Sequence, residues 1–217
     1  MSATPSARSR KPSPAEKSET HESDGLRADA RRNRDKLIEA AAPAFAEFGV
    51  EASLEEIARR AGVGIGTLYR HFPTREHLVE VVYRREVELL IAAADELLAK
   101  KRPDLALEEW MQRFVDYIAT KRGMAESLRL LQASNSQLFA AASGLMPKAL
   151  QRLVEAAASG GYIRKDVDSS DVLYALFGIY GAPQSPDWRE RSRRIVRLLM
   201  DGLRAGAAAK SGNKPRR

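Results

Sequence analysis

The sequence predicts an all-α fold, with a small N-terminal three-helix domain and a larger C-terminal helical one. Three observations predict it. Apolar residues recur at helical spacing in nearly every segment between residues 26 and 204, and no segment shows a convincing strand alternation. Helix-start signals head those segments: Ser53 with Glu56, Thr74, Pro103, and Asp168 with Asp171. Helix-stop signals close them: Gly49, Gly62, Ser159-Gly160-Gly161, and Gly181 with Pro183.

Taken in order, the first helix is expected over 27–48, with Leu37, Ala41, Phe45 and Phe48 on one stripe. Pro43 deletes a backbone hydrogen bond inside it and predicts a local kink. Ser53 caps a short helix over 54–61 that turns Leu54, Ile57, Ala58 and Ala61 inward. Gly62 stands where the chain must take a positive φ, and Val63 plugs the turn. A third short helix follows over 64–71. Thr74 then caps a long fourth helix reaching residue 99.

Pro103 opens a helix whose wide apolar face holds Trp110, Met111, Phe114, Val115, Tyr117 and Ile118. Gly123 breaks that pattern, and a helix with Met124, Leu128 and Leu131 comes next. Further helices are expected over 145–158, from Asp168 through Tyr180, and over 187–203. The division that follows is a tail over 1–25, a three-helix head over 26–72, a helical body over 73–204, and a tail over 205–217. Both tails are expected to be disordered, being rich in small, charged and proline residues.

Composition narrows the function classes. At 217 residues, 44% hydrophobic and 30% charged, the chain can bury a real core and remain globular. Cysteine is absent, which excludes disulfides, thiolate metal sites and thiolate catalysis. His21, His71 and His77 are scattered, so neither a metal nor a cofactor is expected. No apolar stretch follows Met1, and the longest apolar run, 172–183, is too short for a bilayer. The expected location is the cytoplasm, with no membrane partner. Glu55, Glu56, Asp168 and Asp171 read as caps rather than an acid–base pair, and no nucleophile motif appears, so an enzyme is not expected.

A net charge of +7 favours a polyanionic partner. That charge lies at the ends. Between Arg204 and Arg217 stand five basic residues and no acid, and over 1–34 eight basic residues face five acids.

The strongest motif is residues 53–71, two short helices joined by a Gly-containing turn, which is the pattern of a helix-turn-helix. Ala58 supplies the small residue at the crossing, Gly62 the turn, and Val63 and Leu68 the plugs. The stretch 34–78, RDKLIEAAAPAFAEFGVEASLEEIARRAGVGIGTLYRHFPTREHL, resembles the N-terminal domain of TetR-family transcriptional regulators. The matching features are the Ala-Ala and Phe of the first helix, Gly49, Ser-Leu-x-x-Ile-Ala, Ala-Gly-Val, Gly-Thr-Leu-Tyr-x-His-Phe, and the basic residue plus Glu at 75–76. Gly64 stands where the family often has Ser or Thr, and Arg75 where it often has Lys.

The resemblance implies that Thr67, Tyr69 and His71 contact phosphates, with Arg75 adding a charge-assisted contact. The start of the second helix, at Ser53, offers another phosphate position. Ile65, Gly66 and Arg70 are candidates for base-edge contact, while Arg31, Arg32 and Arg34 add attraction from the flank. Tyr69 has a second reading as a core residue, and His71 as a simple turn residue.

In the body the candidate pocket walls are Trp110, Phe114, Tyr117, Met124, Leu128 and Phe139, each with plain core as its alternative. Leu173, Leu176, Phe177, Tyr180, Ile195, Leu198 and Leu199 lie on helices apolar on more than one side. The resemblance implies that these two helices pair with their copies in a homodimer. It also implies a repressor that binds a palindromic stretch of double-stranded DNA and is released by a small-molecule effector, with the fourth helix as lever. The alternative is a sequence-tolerant architectural DNA-binding protein that uses its basic ends.

Overall fold

The computed structural model describes residues 14–134, 139–183 and 185–207, and every regular element among them is helical. Helix α1 is Pro14–Phe48, α2 Leu54–Arg60 and α3 Ile65–His71. The body comprises α4 Arg75–Lys100, α5 Pro103–Gly123, α6 Ala125–Ser134, α7 Ala140–Ser159, α8 Ser169–Gly181 and α9 Trp188–Arg204. Residues 1–13 and 208–217 of the expected tails lie outside the described residues.

Helix α1 begins well ahead of the expected residue 27. A proline is at home in a first helical turn, and 15–24 contains neither glycine nor proline to stop the chain. Gly25 alone costs about 1 kcal/mol and does not end the helix. Pro43 is likewise held within it.

Local signals close the head. Gly49 takes φ 62° after α1, and Gly62 takes φ 71° after α2. At the second turn Val63 N donates to Ala58 O at 3.0 Å and Gly62 N to Arg59 O at 3.1 Å. These paired bonds satisfy carbonyls that the end of α2 leaves free. Leu37, Ala41, Phe45, Ile57, Leu68 and Phe72 form the buried centre of the three helices. Phe48, expected on the same stripe, is half exposed and lies under the Arg60 guanidinium.

Helix α5 is the axis of the body, packed against α1, α4, α7, α8 and α9. Beyond the exposed Leu105 of its first turn, its apolar side chains are accordingly buried around its circumference, and Trp110 donates its indole N–H to Leu90 O at 2.8 Å. At its first turn the buried Asp104 accepts from Arg102 at 2.6 Å and from Arg204 at 3.1 Å. Those bonds, Arg102 first, hold the Asp104 carboxyl below its ordinary value. Arg204 also binds Glu108 at 2.8 Å, so the first of the C-terminal arginines is paired inside the body rather than part of a free basic end. At the other end of α5, Gly123 meets the backbone of Phe45 so closely that a Cβ there would lie 1.8 Å from Phe45 O. The head therefore rests directly on the C-terminal turn of α5.

Candidate nucleic-acid interface and ligand cavity

Helix α3 sits on the head with Leu68 and Phe72 buried and its other face turned to solvent. Tyr69 is 47% exposed, which removes its reading as a core residue. Gly64 is the N-cap in extended conformation, and Gly66 beside it has no atom within 4 Å of a notional Cβ, so the backbone there is open to close approach. Arg70 is exposed and folds back along its own helix, donating to Gly66 O at 3.2 Å and to Thr67 Oγ1 at 3.0 Å. Gly66, Thr67, Tyr69 and Arg70 thus lie along one short helix, with the partly buried His71 at its end.

Other expected contacts are engaged within the fold. Ile65 is partly buried and packs against the core, which leaves little of it for a base edge. Arg75 donates to Ala52 O at 2.8 Å, tying the start of α4 to the turn before α2. Ser53 Oγ accepts from Glu56 N at 3.3 Å and donates to Glu55 at 2.9 Å. Backbone hydrogen bonding and then the Ser53 hydroxyl lower the Glu55 carboxyl, so an anion already faces the start of α2. Arg59 and Arg60 both bind Glu56, pulling that carboxyl down to about 2 and leaving α2 little net charge. On α1, Arg31 is exposed, Arg32 pairs with Asp29, and Arg34 lies 5.5 Å from the Phe72 ring centre.

Comparison with known proteins decides what this head is. Residues 37–82 match the model of the bacterial regulatory proteins of the tetR family, and residues 102–205 match that of the SbtR-like transcriptional regulator C-terminal domain. A crystal structure of a TetR transcriptional regulator from Streptomyces coelicolor is 47% identical, with TM-score 0.71, over 79% of this chain and 98% of that one. The chain belongs to the TetR family of transcriptional regulators. A TetR structure from Mycobacterium vanbaalenii is 37% identical, with TM-score 0.64, over 82% of this chain and 99% of its own. A curated HTH-type transcriptional regulator of Staphylococcus aureus is 33% identical over 115 residues. That match spans 52% of this chain and 60% of the relative.

In the body of this TetR-family chain, a cavity of about 630 Å³ opens between α4, α5, α6, α7 and α8. Of the expected pocket walls, Tyr117, Leu128 and Phe139 line it. Trp110, Phe114 and Met124 do not; they are fully packed in the core, because α5 has neighbours on every side. Phe177 and Tyr180, expected at the dimer face, are partly exposed and line this cavity. Sequence reasoning missed Tyr83 and Lys121. The available signal was Lys121 one turn after Tyr117 and Ile118, which puts a cation on their apolar face of α5.

The expected dimer face divides as well. Leu176 is completely buried within the protomer, whereas Leu198 is 70% exposed and Ile195 stands open beside it. Leu173 and Leu199 are partly buried. Tyr174, not singled out from the sequence, is 76% exposed on α8. Among the described residues no group of acids and histidines is arranged to hold a metal, and no helix is long and apolar enough to cross a membrane.

Proposed function

We propose that this protein is a repressor that binds a two-fold symmetric operator as a homodimer and releases it when a small molecule fills the body cavity. One observation carries the reading. The last two turns of α5, which support the head through Gly123, also bring Tyr117 and Lys121 to the cavity. A ligand that shifts α5 therefore acts on the seat of α1, and through it on α3. Helix α4 offers a parallel link, with Arg75 tied to the head and Tyr83 at the cavity. The shift requires that the ligand bind the two head positions with different affinity.

The exposed apolar residues of α8 and α9 support the dimer, because a patch of this kind on a folded chain marks an interaction site. Two copies place two α3 helices about one DNA turn apart, roughly 34–36 Å. The Tyr69 hydroxyl and Thr67 set the register through phosphates, with Gly66 permitting close backbone approach. Tyr69→Ala tests the assignment. Losing one phosphate contact in each half-site lowers operator affinity by about a hundredfold or more, while sedimentation still shows a dimer. A dimeric variant with unchanged operator affinity refutes the role given to α3.

A further inference from the structure

The cavity has a sign. Its lining contains two cations, Lys121 and Arg129, and no aspartate or glutamate. Arg129 is exposed at the mouth, whereas Lys121 is half-buried on the inner wall. The Lys121 ammonium lies 5.7 Å from the Phe139 ring centre and 5.2 Å from that of Tyr180. Among the described residues no carboxylate acts on it. Burial lowers its pKa from the ordinary lysine value, with no acid close by to hold it up. The adjoining wall carries a second polar group, Tyr83 Oη, which is buried without a well-formed hydrogen bond although the Tyr117 hydroxyl stands near it. The Tyr83 ring lies 5.0 Å from that of Phe139, so both polar groups flank the same aromatic side chain.

A half-buried cation without a counter-ion is costly unless something completes it, and the Tyr83 hydroxyl beside it has only the Tyr117 hydroxyl to share. Ile118, Leu128, Met146 and Phe177 make the larger part of the wall apolar, with Gln132 and Ser143 adding neutral polar groups. We propose that the cavity binds a small apolar carboxylate, its anionic end against Lys121 and its hydrocarbon or aryl body against that apolar wall. A monoanion matches the single inner cation, since the second, Arg129, stands exposed at the mouth. An amine would face two like charges. The volume lies in the ordinary range for small-molecule sites, about 300–1,000 Å³. The inference rests on the ligand-responsive reading above and gives it a chemical class.

The test is calorimetry on the full chain with three acids, decanoate, phenylbutanoate and naphthylacetate, each beside its primary amide and the matching amine. At least one acid binds, each binding acid exceeds its amide by about tenfold or more, and the amines do not bind. Lys121→Gln lowers acid affinity by about tenfold to a hundredfold and collapses the preference over the amide; Lys121→Arg retains the preference. Tyr83→Phe costs about threefold to tenfold. Thermal melts establish that each variant is folded. Amides or amines binding as well as the acids, no member of the panel binding, or Lys121→Gln leaving acid affinity intact would overturn the proposal. Operator binding, measured separately by gel shift, keeps the two readings apart. Normal operator affinity without acid preference sinks only the carboxylate, and acid binding without operator binding sinks only the repressor.

Discussion

In the head, α2 and α3 are seven residues each and are bounded by caps and a positive-φ glycine. In the body, α4 and α5 run 26 and 21 residues and are fixed by side chains buried against several neighbours. Isolated helices as short as the first pair are unstable in water, so their form depends on capping and on packing against α1. The long pair tolerates the loss of any one end signal. The difference has a functional counterpart. Under the proposed function the head presents a fixed surface, whereas the body leaves room for a ligand beside a densely packed axis.

The comparison breaks hardest at the surface of α9. Leu198 is 70% exposed in the single chain, so Leu198→Glu leaves the protomer's own packing intact. In a two-fold dimer the same change appears twice at one interface. A buried carboxylate without a partner costs about 3–5 kcal/mol. The expected outcome is a folded monomer by sedimentation, with an unchanged melting curve at low concentration. A stable dimer would move the interface away from α9.

The contact between head and body breaks next. Gly123→Ala places a methyl 1.8 Å from Phe45 O, against helical backbone that has no rotamer to change. Overpacking of this kind costs about 3 kcal/mol, and α1 must lift from α5 to relieve it. The melting temperature therefore falls, and any ligand-dependent change in operator affinity weakens more than ligand binding itself. Gly66→Ala serves as the contrast, since a Cβ there meets nothing. Its melting temperature changes little. Equal loss of stability in both variants would dissolve the special status of Gly123.

These positions also show what the sequence could disclose. Ser53, Gly62 and Thr74 act on atoms within a few residues, so their roles are readable from spacing alone, and the caps at Glu56 N and His77 N are where that spacing puts them. The helical pattern of the body is equally readable, because burial imposes its period on each helix separately. Assignment among core, cavity and interface is not. Trp110 and Tyr117 occupy the same apolar face of α5, yet one is sealed against α4 while the other opens on a cavity between five helices. Leu176 and Phe177 are adjacent in sequence and face opposite fates. Arg75 belongs to the same group: its charge is visible in the sequence, but its bond to Ala52 O depends on how α4 enters the head.

The smallest effect sharpens the comparison from the side of the head. The Ser53 hydroxyl serves two groups at once, accepting from Glu56 N and donating to Glu55. Ser53→Ala removes both and costs about 1 kcal/mol in α2. Because α2 is only seven residues long and carries α3 on its far side, that loss acts on a large share of its stability. Operator affinity is therefore expected to fall only severalfold, with faster amide exchange confined to α2 and α3 and none added in α5. The same size of cap loss at Asp168, which accepts from Ser170 N at 2.8 Å at the start of α8, leaves operator affinity unaltered. If the Ser53 and Asp168 variants proved indistinguishable in operator binding, the head would not depend on its local signals, and the contrast between short capped helices and long packed ones would lose its functional meaning.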